Sequence, residues 1–378
     1  MFSIISKFFL PPANTVVAKP SATTQVAPGN VEVYVIDVRN VPYDPPLSQP
    51  HWSMEMDNRT GPEHIFVCAG SDASHTQPAH EDGDNDATIA HEIGDADVSP
   101  HQARKSLLKA VKMQNLDVVR CILQTSDAHI NAVNDKGMTA LGIAAYKGSI
   151  DIVQLLLQAP DIHVDAANHG GTTALALAAY AGHQDVVHTL LQNRAVDVNA
   201  RNDDGESALS LAAYAGHHGV VHLLLATPGI HINPTCKQGL SALLWATWMG
   251  HSEVVGALAQ APGIDINIRD PQGNTALILA AYMGLQAIIE RLLQVPGIAV
   301  NAANKKKNTA LILSAARGHR LIVDQLQQVP DIDFNATDSA QATAAMRALK
   351  EGHAQIAIVL IQGSIARAEV NNHPRNRN

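Results

Sequence analysis

The chain has 378 residues, of which 46% are hydrophobic and 4% aromatic, with a formal charge of -9. So little aromatic material beside abundant Gly and Ala suits thin, repetitive packing rather than one large globular core. The acid is concentrated: residues 1–100 carry a net charge of -10 and residues 101–378 a net of +1, and no basic stripe recommends a nucleic-acid partner. Cys68, Cys121 and Cys236 stand far apart, form no CxxC and make an odd count, which argues for a reducing compartment rather than a disulfide framework.

The chain starts MFSIISKFFLPP, which is apolar but short and interrupted by Lys7. It lacks a basic n-region and a small-residue cleavage site, so it reads as a frayed end rather than a secretory signal, with a targeting role as the alternative. No stretch approaches the roughly 18 apolar residues that span a bilayer. VEVYVIDV at 31–38 and HIFVCAG at 64–70 have strand composition and leave room for one small hairpin. From Glu63 to Asp97 there are nine acidic residues and no Lys or Arg. Such a tract holds too little apolar material to offset the entropy of ordering. Residues 1–100 are therefore expected to be a mostly disordered acidic region. It is either a solubilising tail or an arm that folds over onto Lys305, Lys306 and Lys307.

From residue 101 a 34-residue ruler applies. Gly148, Gly182, Gly216, Gly250, Gly284, Gly318 and Gly352 fall on one column. Thr139, Thr173, Ser207, Ser241, Thr275, Thr309 and Thr343 form a second, and Leu141, Leu175, Leu209, Leu243, Leu277 and Leu311 a third. The hydroxyl stands before an Ala/Leu-rich run, where it can cap a helix, and the Gly about two and a half turns later can end it in a left-handed conformation. A second apolar run at 3–4 spacing follows, such as Ile152-Val153 with Leu156-Leu157, and marks a second helix. A Pro/Gly/Asp connection such as APGIDINIRDPQG then turns the chain back as a finger. Two short helices cannot bury their faces alone, so the units must stack on one another.

Stretches such as GTTALALAAYAGHQDVVHTLLQ with VDVNARND resemble the ankyrin repeat over roughly residues 103–362, in about eight units. The resemblance implies an all-α solenoid of helix-turn-helix units over residues 101–364, with projecting finger loops, then a disordered tail at 365–378. The sequence departs from the family where Thr-Pro-Leu-His reads Thr-Ala-Leu or Ser-Ala-Leu, and where Lys307 replaces the finger Gly, so that finger is expected to be strained or differently shaped. The ends read as polar caps: Arg104, Lys105, Lys109 and Lys112 in the first unit, and Ala345 and Arg347 in the last.

Catalytic signatures are absent: HEIGD is not HExxH, and no GxSxG, P-loop or GxGxxG occurs in strand–helix context. Neither an enzyme, a cofactor nor a small-molecule substrate is expected. His218 and His222 have the i, i+4 spacing that metals use but no evident third ligand, so a solvated face is the better reading.

One column varies informatively. Two residues before the Gly stand Tyr146, Tyr180, Tyr214, Trp248 and Tyr282, and beside them Lys147, Met249, Met283 and Arg317. The resemblance places this column on the concave groove that grips partners. Met138, Thr172, Glu206, Leu240, Asn274 and Asn308 are expected at the fingertips. Tyr and Trp dominate binding hot spots because they bring area with little rotamer loss. The competing reading is that these aromatics are lateral core. Trp245, which replaces Ile143, Leu177 and Leu211, is expected to be core. The expected function is a non-enzymatic, cytoplasmic scaffold for a protein partner. The alternative is an exported or membrane-tethered effector directed by its N-terminal segment.

Overall fold

The computed structural model describes residues 100–124 and 129–372. The expected hairpin, the acidic tract, the acidic arm and the side chains of Arg104 and Lys105 lie outside the described residues. Among the described residues sixteen helices pair in chain order. The first pairs are α1 (Pro100–Lys112) with α2 (Leu116–Leu123), α3 (Ala140–Lys147) with α4 (Ile150–Leu157), α5 (Ala174–Ala181) with α6 (Gln184–Leu191), and α7 (Ala208–Ala215) with α8 (His218–Leu225). Then come α9 (Ala242–Met249) with α10 (Ser252–Ala259), α11 (Ala276–Met283) with α12 (Gln286–Leu293), α13 (Ala310–Ala316) with α14 (Arg320–Leu326), and α15 (Ala344–Lys350) with α16 (Ala354–Asn372). First helices stack on first helices and second on second. Among the described residues there is no β-strand, only three isolated bridges at finger bases.

The local chemistry follows the columns. Each hydroxyl residue from Thr139 to Thr343 accepts a hydrogen bond from the backbone N–H three residues on, as Thr139 does from Gly142 at 3.1 Å. That satisfies one of the four donors a helix start leaves open. Gly182 closes α5 at φ 81°, in the left-handed region that an L side chain resists. Eight-residue helices are marginal alone, so burial must hold them. The Leu column from Leu141 to Leu311 is buried, as are the paired aliphatics of the second helices, such as Val186, Val187 and Leu190.

The fingers are built by a second set of columns that repetition alone did not bring to attention. Asn134, Asn168, Asn202, Asp270, Asn304 and Asp338 each fold the finger by accepting from the N–H groups two and four residues ahead. Cys236 holds the same place and keeps only the backbone bonds. Neighbouring fingers are joined by backbone bonds, as from Asp203 N to Gly170 O at 2.9 Å and from Lys305 N to Gln272 O at 2.9 Å. Pro271, lacking an N–H, interrupts that series. Asn131, Asn199, Asn233, Asn267 and Asn301 tie finger to finger, each donating to a carbonyl 30 residues on and accepting from an N–H 32 residues on.

One expectation is met in part and two need correction. Of the two alternatives for the finger with Lys307, the strained one holds: the finger keeps the common shape, but Lys307 does so at φ 58°, in the left-handed region that an L side chain resists, and donates to Asn304 O at 2.8 Å. The helical region does not stop at 364. α16 instead runs through Gly363 to Asn372, and Arg367 anchors it by donating to Gln327 O and Val329 O and lying over the Phe334 ring. The last unit is not a polar cap. Arg347 turns inward to ion-pair with the buried Asp338, which leaves Met346 and Leu349 exposed instead. In the first unit Lys109 and Lys112 are exposed, as expected.

Candidate protein-binding face

The candidate aromatics sit in the last turn of successive first helices, immediately before the left-handed glycine. The Gly ends the helix, so the side chain two positions earlier has no further turn to cover it. Tyr146, Tyr180, Tyr214, Trp248 and Tyr282 are all half-buried. Tyr180 and Trp248 pack against the hydrophobic core with one side and present the other. Neither full burial nor full exposure describes these rings: each is partly packed and partly accessible.

The column is continuous in the middle. The Tyr180 and Tyr214 rings stack with centroids 6.4 Å apart at 14°. Trp245, buried as expected, meets the Tyr214 ring edge-on at 5.1 Å and 87°. Such offset and edge-to-face pairs suit the ring quadrupoles and fix ring orientation. At the far end Tyr282 is covered: the Arg317 guanidinium lies 4.1 Å from its ring centre and also donates to its hydroxyl. That is a cation–π contact, and it withdraws part of the Tyr282 face from any partner.

Electrostatics single out the same centre. Burial pushes the phenol pKa values of Tyr146, Tyr180 and Tyr214 up, with the Glu206 carboxylate adding to the effect at Tyr180 and Tyr214. Glu206 is itself raised by burial, against a 2.9 Å hydrogen bond from Asn202 Nδ2 that favours its charged form. The acid thus lies within electrostatic reach of the stacked pair.

A histidine holds each tyrosine's backbone from the next unit. Nε2 of His183, His217, His251 and His319 lies 2.9, 2.9, 3.0 and 3.2 Å from the carbonyl oxygens of Tyr146, Tyr180, Tyr214 and Tyr282. Leu285 stands in this column after Gly284, opposite Trp248. Read along the sequence, the Gly-His pair marks a helix start. Its tie to an aromatic 37 residues earlier crosses units and is visible only in three dimensions.

The flanking candidates divide. Met249 and Met283 are 43% and 37% exposed, Lys147 is exposed and Arg317 is half-buried. The column expected at the fingertips is not there: Thr172 and Asn274 are 1% and 3% exposed, and Met138, Glu206, Leu240 and Asn308 are half-buried. The cause is the Asx turn, whose second closing N–H belongs to this column, at the finger base. The tips are the residues before it: Asp135 and Lys136, Asp203, Lys237, Pro271 and Gln272, and Lys305 to Lys307 are exposed.

The His218 and His222 rings lie 6.5 Å apart, and among the described residues no group of three or more His, Cys, Asp or Glu side chains converges as a metal site. Among those residues no helix is long and apolar enough to cross a membrane.

No curated protein matches the chain. The pattern described as ankyrin repeats matches it in three copies, over residues 107–202, 195–270 and 277–374. With the capped helix pairs, the left-handed glycines and the cross-linked fingers all in register over that span, the chain is a member of the ankyrin-repeat family.

Proposed function

We propose that the chain binds a protein partner on the face formed by the ends of its first helices, centred on Tyr180, Tyr214 and Trp248, with Met249 and Met283 beside them. Ankyrin repeats are protein-interaction modules in general. The observation that carries the choice of face is the stacked, half-buried pair of Tyr180 and Tyr214, steadied by the edge-on contact of the buried Trp245 with Tyr214, and with both tyrosine carbonyls tied to the next unit. Rings already ordered lose little freedom on binding, so their area converts to affinity more fully. Lys147, Arg317 and the exposed tips Asp203, Lys237 and Lys305 to Lys307 supply the charges that select among partners. The face is one for recognition rather than reaction. Cys121 and Cys236 are unpaired, which supports a reducing, cytoplasmic setting.

The test is site-specific photo-crosslinking in the full-length protein. A photoreactive residue at Met249 or Met283 should capture a discrete partner, and Tyr180→Ala with Trp248→Ala should abolish that capture while unfolding stays cooperative. The same probe at Asp151 or Asp185, exposed on second helices, should capture little. Equal capture from both faces, or capture indifferent to the aromatic changes, would reject the assignment.

A further inference from the structure

Nine large hydrophobics are exposed among the described residues, and six of them, Leu321, Met346, Leu349, Ile358, Ile361 and Ile365, lie in the last two units. The register of the repeat shows what this means. Met346 stands in the column of Ile312, Ile278 and Leu244, each at most 1% exposed, yet it is 42% exposed. Leu349 stands in the column of Ala315, Ala281 and Thr247, all fully buried, yet it is 55% exposed. So α15 presents the side that every earlier first helix buries against its successor, and the face continues the interface that joins units throughout the stack.

On α16 there are two stripes. Ile356, Ala357 and Leu360 are buried against the chain, and Arg367 ties the same side to Gln327 O and Val329 O. Ala354, Ile358, Ile361, Ile365 and Ala368 are all exposed, the isoleucines at 45%, 46% and 55%. At about 100° per residue this second stripe spans an arc of roughly 80°, centred roughly 120° away from the first. Its spacing of 4, 3, 4 and 3 residues is that of an a/d seam.

The seam reads Ala-Ile-Ile-Ile-Ala, the same from either end, and contains no charge. A two-fold interface requires a surface complementary to itself. Two α16 helices laid antiparallel set isoleucine against isoleucine. The neighbouring Gln355 and Gln362 are neutral, and Glu369, at one end of the seam, is carried away from its own copy. We propose that this face joins two copies of the chain through antiparallel α16 helices, with Met346 and Leu349 extending the contact. The aromatic face is left free, so each dimer offers it twice, and a partner that carries two binding segments would gain avidity.

The test is sedimentation of the full chain over a concentration series up to about 100 μM, where a micromolar dimer is well populated. A monomer–dimer equilibrium is expected, with Ile361→Glu weakening it at least tenfold and leaving helical content unchanged, and with Asp151→Lys leaving it intact. Should Ile361→Glu disturb folding, Ile361→Cys supplies a second reading: over the wild-type background of Cys68, Cys121 and Cys236, the introduced thiol should form an additional disulfide-linked dimer under mild oxidant. A wild-type monomer at the highest concentration would overturn the proposal. So would a monomer in which the introduced thiol is shielded from alkylation, since the face would then be covered by another segment of the same chain. A dimer indifferent to Ile361→Glu would overturn it as well.

Discussion

Nε2 of His217 lies 2.9 Å from the carbonyl oxygen of Tyr180, 37 residues earlier in the chain. The contact joins the start of one unit's second helix to the end of the previous unit's first helix, at the residue whose ring faces outward. It therefore serves stacking and presentation at once. His217→Leu, which copies the natural Leu285, should keep the stack but cost about 1 kcal/mol, the usual worth of one such bond. Denaturant unfolding measures the loss, and amide exchange should show the end of α5 opening more often. An unchanged midpoint would mean that the carbonyl is equally well served without the ring.

Gly182 serves two constraints. Its φ of 81° resists any side chain, and a Cβ built there falls 2.6 Å from Cε1 and Nδ1 of the His217 ring. Gly182→Ala should therefore cost more than the roughly 1 kcal/mol of a left-handed alanine, because the ring must also move off the Tyr180 carbonyl. Gly250 gives the contrast: there the nearest atom to such a Cβ is Leu285 Cδ2 at 3.7 Å. Gly250→Ala should thus be the milder of the two, by about the worth of one hydrogen bond. Parallel thermal melts compare them, and equal losses would show that backbone strain alone decides.

How much of this was legible beforehand depends on the distance over which a residue acts. Thr139 caps Gly142 three residues on, and Gly148 ends its own helix, so local spacing located both. The asparagine column was equally periodic, but an Asn in a polar loop carries no local signature of a partner 30 residues away. The finger column failed for a finer reason: the residues nearest the capping hydroxyl close the Asx turn, and the exposed tip lies two or three positions earlier. Arg347 failed because its carboxylate partner, Asp338, is supplied by the finger before it. The aromatic column was visible in the spacing, but spacing does not say which side of a ring is packed. Its division into a packed side and a presented side came from contacts between units, which a spacing rule does not hold.

Asp165 is the one acid in the asparagine column that runs from 131 to 301. Its Oδ2 accepts from Asp197 N at 2.8 Å, but its Oδ1 is buried and has no partner. Burial raises its pKa, and the Asp197 carboxylate adds to that, against the stabilising N–H. An asparagine there would donate to the carbonyl 30 residues on, as its four neighbours from Asn199 to Asn301 do. Asp165→Asn should stabilise the stack by about 0.5–1.5 kcal/mol at neutral pH. The sign with pH follows from linkage. A raised acid binds its proton more tightly in the folded state, so wild-type stability falls as pH rises from 3.8 through the folded value. The advantage of Asp165→Asn should shrink as the solution is acidified toward that range. Urea midpoints at two pH values test both statements, and a variant less stable than wild type at neutral pH would refute them.

His319 is a titrating link in the histidine series. Burial lowers its pKa, and Arg317 and His353 lower it further, against the hydrogen bond to Tyr282 O that raises it. The folded state thus holds the neutral ring at pH values where the unfolded chain, at 6.5, already takes up a proton. The unfolded state binds more protons there, so stability rises with pH across that interval. The contribution is fully present above 6.5 and is lost as pH falls from 6.5 through the folded value. Arg317 is also the residue that covers the Tyr282 ring, so charge, pH response and the exposure of that aromatic are linked through one guanidinium. Arg317→Gln should move the His319 midpoint upward and uncover Tyr282, both readable from the imidazole and tyrosine signals in an NMR titration. A wild-type midpoint at or above 6.5, or one that Arg317→Gln leaves in place, would break the link.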